Sequence, residues 1–193
     1  MIEREVKLQF PGVDEARTAV IAAGARPLRP RRLQDDVLFD TPDQSLRGRG
    51  CAVRLRTEYS PAEAGHDDGA ERVLLTYKGP VRPGTMKTRE ELETAVADRH
   101  TLLGIFEALD LRPCFRYQKY REEFAAPEAT IAIDETPIGT FVEIEGSEAA
   151  ILEMTQALDR TPGDFILASY YRLFMTRRDQ IGLAGTDMVF AAG

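Results

Sequence analysis

Glu3, Glu5 and Lys7 stand at alternate positions in the opening run Ile2-Glu3-Arg4-Glu5-Val6-Lys7-Leu8-Gln9-Phe10. In an extended strand that spacing puts two carboxylates and an ammonium on one face, with Ile2, Val6, Leu8 and Phe10 on the other. Like charges so close are costly unless something binds between them. The same period of two returns along the chain. Arg54 and Arg56 alternate with Val53 and Leu55, and Arg72, Leu74, Thr76 and Lys78 share a face. Lys87, Arg89, Glu91 and Glu93 follow at spacing two, as do Lys119 and Arg121. Asp134 has Ile131 and Ile133 on the reverse side, and Glu143 and Glu145 alternate with Val142 and Ile144.

A sheet with one solvated face would explain any one of these strands. It explains the set poorly. Glu-x-Glu recurs in three strands, which is a poor device for solubility because the repeated carboxylates repel. Arginines and lysines sit at strand centres, and amphipathic helices are available to cover the apolar faces. A closed antiparallel barrel with its charges pointing inward satisfies all three observations. Inside such a lumen, clustered carboxylates suit a hard divalent cation, Mg²⁺ or Mn²⁺. Arginine and lysine opposite them suit an elongated phosphate chain. With no placed His or Cys nucleophile, the simplest reaction is attack by metal-activated water on a terminal phosphorus.

The elements that must position these residues follow from the same patterns. After the first strand, Val13, Ala16, Val20 and Ile21 recur at helical spacing, and Gly24 is placed to end the helix. Further strands are expected over Gln34 to Phe39, Cys51 to Glu58, Arg72 to Lys78, Thr88 to Val96, Phe115 to Phe124, Thr130 to Asp134 and Thr140 to Glu145. Thr136-Pro137-Ile138-Gly139 makes the last two a hairpin. Leu102, Leu103, Phe106 and Leu109 mark a second helix, Ala150, Ile151, Met154 and Leu158 a third, and Ser169 to Gln180 a closing one. The polar, turn-rich stretch Ser60 to Gly69 reads as a long loop, a candidate lid over one mouth, with the closing helix a candidate plug for the other.

Composition limits the alternatives. A chain of 193 residues with 43% hydrophobic content can build one core, and the expectation is one domain over 1–193. With 25 Lys+Arg against 32 Asp+Glu the net charge is -7, which argues against nucleic-acid binding by bulk charge. Cys51 and Cys114 fit neither a metal spacing nor a disulfide framework and read as ordinary buried thiols. A cytoplasmic setting is the expectation, with no membrane span and a monomer or homodimer as the form. His66 and His100 have no partner that would make either a base. Arg72 and Lys87 read as strand-end surface charges, and Tyr77, Tyr120 and Tyr170 as packing residues with satisfied hydroxyls.

In this order the motifs resemble the CYTH superfamily, the triphosphate tunnel metalloenzymes, over nearly the whole chain. Glu3-Arg4-Glu5-Val6-Lys7 is similar to its amino-terminal Glu-x-Glu-x-Lys signature. Phe39-Asp40-Thr41-Pro42-Asp43 and Arg54-Leu55-Arg56 are similar to its next motifs, followed by Thr76-Tyr77-Lys78-Gly79 and Arg89-Glu90-Glu91-Leu92-Glu93. Lys119-Tyr120-Arg121, Asp134, Gly139 to Glu145 and Ser169-Tyr170 complete the series. The resemblance implies an α+β fold, an eight-stranded antiparallel tunnel with outer helices. It implies that Glu3, Glu5, Glu143 and Glu145, with Asp134, hold metal, and that Lys7, Arg54, Arg56, Lys78, Arg89, Lys119 and Arg121 hold the phosphates. Glu3, Glu5, Lys7, Glu143 and Glu145 are then the catalytic set, and Glu91 and Glu93, on the same lumen-facing register, bind a second metal, orient water or pair with arginine, the pairing role being preferred.

Two reactions fit that cage. One is hydrolysis of the terminal phosphate of inorganic triphosphate or of a small organic triphosphate such as thiamine triphosphate. The other is the class IV adenylate cyclase reaction, in which ATP gives cyclic AMP and pyrophosphate. The cyclase branch carries a His-Phe motif near the second strand, whereas this chain has Asp35-Asp36-Val37-Leu38-Phe39-Asp40-Thr41-Pro42 without histidine, which favours hydrolysis. A noncatalytic polyphosphate sensor is the third reading, and the presence of every acidic position weighs against it.

Overall fold

The computed structural model describes residues 2–59, 71–178, 180 and 185–191. Eight strands form the frame: β1 (Ile2–Phe10), β2 (Arg26–Asp40), β3 (Ala52–Tyr59), β4 (Glu71–Lys78), β5 (Lys87–Ala95), β6 (Arg112–Ala126), β7 (Ala129–Thr136) and β8 (Gly139–Gly146). The helices are α1 (Val13–Ala22), α2 (Ser45–Gly48), α3 (Arg99–Ala108), α4 (Glu148–Ala157) and α5 (Tyr170–Arg177). Every strand pairs antiparallel with two neighbours, and the order β1-β5-β4-β3-β2-β6-β7-β8 closes on itself. Closure leaves no open edge in the ring. The α+β tunnel expected from alternation is the fold.

The outward faces are apolar and covered by helices, which is why the charged faces point in. Val6, Leu8, Ile131, Ile133, Val142 and Ile144 pack against Ala16 and Val20 of α1 and Ile151 and Met154 of α4. On the opposite wall, Phe39 and Leu55 pack with Phe106 of α3. Side chains of this size contribute about 1.5–3 kcal/mol each when fully buried. Local signals fix the helix ends: Asp98, Ser147 and Ser169 accept from backbone N–H groups in the first turns of α3, α4 and α5. Gly24, at φ 88°, follows the end of α1 as expected.

β2 and β6 exceed the sequence expectation most. β2 begins at Arg26, well before Gln34, because Pro27 and Pro30 sit where the pairing with β6 shifts register, a place that tolerates a missing N–H. β6 likewise begins at Arg112, ahead of Phe115. The closing helix runs only over Tyr170–Arg177. Its Tyr170, Leu173 and Phe174 pack on Phe115, Tyr117 and Phe141, which share their strand faces with Lys119 and Glu143. The helix therefore plugs one end of the tunnel with an apolar cluster. Met188 joins that cluster, and its backbone bonds to Arg116 and Gln118 beside β6. The candidate lid, Ser60 to Gly69, lies outside the described residues, as does His66. Among the described residues no helix is long and apolar enough to cross a membrane.

Candidate active site

The ring encloses a cavity of about 900 Å³ whose lining includes Glu3, Glu5, Lys7, Arg54, Arg56, Lys78, Lys119, Arg121 and Glu143. Backbone register assembles it. β1 and β8 pair Glu5 with Glu145 and Lys7 with Glu143, while β1 and β5 pair Glu3 with Arg89 and Glu5 with Lys87. The first and last strands thus bring both Glu-x-Glu segments side by side.

Around Asp134 the charges are fully matched. Its carboxylate accepts from Arg121 Nε at 2.7 Å and Nη2 at 2.6 Å, from Lys119 Nζ at 2.8 Å and from the Tyr170 hydroxyl at 2.8 Å. Burial alone would raise its pKa, but Arg121 and Lys119 outweigh that and lower it. Next to it, Lys7 Nζ lies 3.0 Å from Glu143 Oε1, and Arg121 also holds Glu143. Burial of Glu143 is outweighed by Lys7, Arg121 and Lys119, which keep it well below the usual carboxylate range. Burial, with Arg121 beside it, pushes Lys119 down to about 8. On the neighbouring wall Asp36 accepts from Arg56 at 2.8 and 3.2 Å. Arg54 lies 3.5 Å from Asp36 and donates to Thr76 at 3.0 Å and Glu93 at 3.4 Å.

Around Glu145 the charges are not matched. Glu3 accepts from Lys78 at 2.9 and 3.1 Å and from Arg89 at 3.4 Å, Lys78 also holds Glu91, and Lys87 holds Glu5. Burial of Glu5 would raise its pKa, yet Lys87 makes the net shift downward. Glu145, paired across the strands with Glu5, is pushed up to about 7 by burial and then by Glu3, Glu5 and Glu91. Its side chain reaches cavity solvent, which screens part of that repulsion. Four carboxylates with oxygen-only donors and residual negative charge fit a hard divalent cation. Among the described residues no three acids already stand as a ligand cluster, because lysine and arginine occupy Glu3 and Glu5.

A family model described as the CYTH domain matches residues 1–161. The chain belongs to the CYTH family. CYTH proteins are metal-dependent triphosphate-tunnel enzymes, either adenylate cyclases or triphosphatases. This CYTH chain is 27% identical over 184 residues to a Methanocaldococcus jannaschii protein named as a candidate adenylate cyclase, covering 90% of this chain and 98% of the relative. A solved structure from Pyrococcus horikoshii matches with TM-score 0.71 and 25% identity over 91% of this chain and 99% of its own. A Hippeastrum protein, described as a candidate adenylyl cyclase with a dominant triphosphatase activity, matches with TM-score 0.61 and 17% identity, covering 91% and 95%. At that identity the likeness is one of fold.

The CYTH tunnel brings nearly all the sequence-predicted residues to one cavity. Asp134 stands apart from Glu3, Glu5 and Glu145: it is fully buried against Lys119 and Arg121, and shares Arg121 with Glu143. Lys87 corrects the surface reading, since it is buried on Glu5, whereas Arg72 is exposed at the cavity wall. Glu91 and Glu93 do pair with basic side chains, Lys78 and Arg54. The cysteines are not buried thiols: Cys51 is half-buried, 3.2 Å from the Tyr77 hydroxyl, and Cys114 is exposed. Residues missed by sequence reading are Asp36 and the cluster in which Glu58 accepts from Arg29, Arg32 and Gln34 at 2.8, 3.1 and 2.6 Å. Arg32, Gln34 and Asp36 alternate on one face of β2, a signal that Asp35 between them disguises.

Proposed function

We propose that this chain is a divalent-metal-dependent phosphohydrolase acting on a triphosphate. The observation that carries the reading is a continuous wall of cations, Lys7, Arg56 and Lys119 buried and Arg121 half-buried, each held by a carboxylate beside a group of carboxylates in excess. Cations already desolvated and fixed by hydrogen bonds need little reorganisation to receive phosphoryl oxygens. Arginine forks suit bidentate contacts, and the ammonium groups act as point charges. Lys7, Arg54, Arg56, Lys78, Arg89, Lys119 and Arg121 bind and orient the chain, and Asp134 with Tyr170 holds Lys119 and Arg121 in place.

Glu3, Glu5, Glu143 and Glu145 are the residues to hold Mg²⁺ or Mn²⁺, which supplies Lewis-acid stabilisation of phosphoryl charge and activation of water. The reaction forms a bond from water oxygen to the terminal phosphorus and breaks the bridging P–O bond. Orthophosphate leaves carrying the water's oxygen, the water's protons pass to the product phosphates and solvent, and the shortened phosphate chain departs as the second product.

The second reading is cyclisation of ATP, favoured by the name carried by the M. jannaschii relative. Both use the same cage, and the histidine-free segment Asp35 to Pro42 supports hydrolysis. The test is turnover of tripolyphosphate, thiamine triphosphate and ATP, each with Mg²⁺ or Mn²⁺, reading orthophosphate, pyrophosphate and cyclic AMP. Orthophosphate release is expected. Cyclic AMP with stoichiometric pyrophosphate would establish the cyclase instead, and no turnover of any substrate would leave a binding protein.

A further inference from the structure

Lys87 opens β5, and backbone register sets it directly opposite Glu5. It is only 7% exposed, and its ammonium rests on the Glu5 carboxylate. Pairing geometry, not a long flexible reach, therefore dictates this contact. One strand beyond β5, Lys78 covers both oxygens of Glu3. Two ammonium groups thus occupy carboxylates that the proposed function gives to a divalent ion. They do not cancel the local charge, because Glu3, Glu5 and Glu91 still crowd Glu145. Lys87 also feels Arg89 and Lys7, two cations assigned to phosphate, and burial together with these neighbours works against its charge. Once Glu5 is taken by another cation, the ammonium of Lys87 keeps only the attraction of Glu143, itself already paired with Lys7, against the like charges of Arg89 and Lys7, and a polyanion is the partner that satisfies all three cations.

We propose that Lys87 is a placeholder cation: its ammonium holds Glu5 until a divalent ion takes that carboxylate, and then joins Lys7 and Arg89 on the triphosphate. This rests on the metal assignment of the proposed function. A buried charge pair is broken only when each partner gains another, so the exchange links metal and triphosphate binding. Linkage is reciprocal: each ligand tightens the other by the same factor.

The test is calorimetric titration of the full chain with Mn²⁺ in the absence of phosphate. Lys87→Met is expected to bind the metal about tenfold or more tightly than wild type, the scale of one close charge pair. At saturating metal the same variant is expected to raise KM for tripolyphosphate by about tenfold or more, with a smaller change in kcat. Removal of a merely structural residue would weaken both ligands together. Metal affinity equal to or weaker than wild type overturns the inference. A second measurement needs no variant: the side-chain ¹⁵N resonance of Lys87 in the wild type is expected to shift on adding Mg²⁺ alone, and an unmoved resonance at saturating Mg²⁺ overturns the inference. If wild type hydrolyses triphosphate with metal but these two signatures are absent, the placeholder role fails and the hydrolase stands. If wild type binds no divalent ion, both fail.

Discussion

The two acidic clusters of the tunnel are built from the same residue types and behave oppositely. Asp134, with no solvent exposure, receives Lys119, Arg121 and Tyr170, and its charge is satisfied within the protein. Burial first, and then the facing carboxylates of Glu3, Glu5 and Glu91, drive the Glu145 carboxyl up to about 7. The first cluster is a finished scaffold that fixes Lys119 and Arg121. The second is incomplete, and that unmatched charge is why the proposed function assigns the divalent ion to it. The sharing of a lumen by matched and unmatched charge is the physical basis on which the proposed function assigns metal to one and phosphate beside the other.

The largest expected effect tests the finished cluster. Asp134→Ala leaves Lys119 and Arg121 buried without their carboxylate, and a loss of about 3–5 kcal/mol in unfolding free energy is expected by denaturant titration. A cost under about 1 kcal/mol would show that the cluster is not a scaffold. Next, Glu5→Gln is expected to lower metal-dependent turnover by about 10²-fold or more, with circular dichroism showing a folded protein. Undiminished turnover would remove Glu5 from the metal set.

The unmatched cluster is probed by pH. The Glu145 carboxyl is raised above its ordinary value of 4.5 to about 7 in the folded protein, so the folded state holds the proton more tightly than the unfolded one. Its contribution is therefore favourable at low pH and is lost as pH rises from about 4.5 through about 7. Metal-free wild type is expected to lose melting temperature relative to Glu145→Gln across that window, and saturating Mn²⁺ is expected to abolish the difference. Parallel curves for the two proteins would argue that Glu145 is not crowded. The smallest effect belongs to the exposed thiol: Cys114→Ser is expected to change stability by no more than about 0.5 kcal/mol, in contrast to any residue of either cluster.

Much of this was legible in the chain. Alternation at period two identified β1, β3, β5 and β8, and it named the faces that carry Glu3, Arg54, Glu91 and Glu143. It missed the first eight residues of β2, 26–33, where Pro27 and Pro30 mimic a loop, and it missed Asp36 because Asp35 breaks the alternation. Lys87 was misread for a related reason. A charge at a strand end has no local signal that distinguishes surface from lumen, and only the β1–β5 register sets it against Glu5.

By itself the sequence determined the alternating strands, the capped helices and the sign of charge on each face, because those depend on neighbours within a few residues. Which charges meet was decided by ring closure. Glu5 reaches Glu145 across 140 positions of chain only because β8 pairs with β1, and Asp134, already charge-matched by Lys119 and Arg121 of β6, gains its remaining donor only because α5 delivers Tyr170. Local pattern fixes what a residue offers, and tertiary pairing fixes whether that offer is already taken.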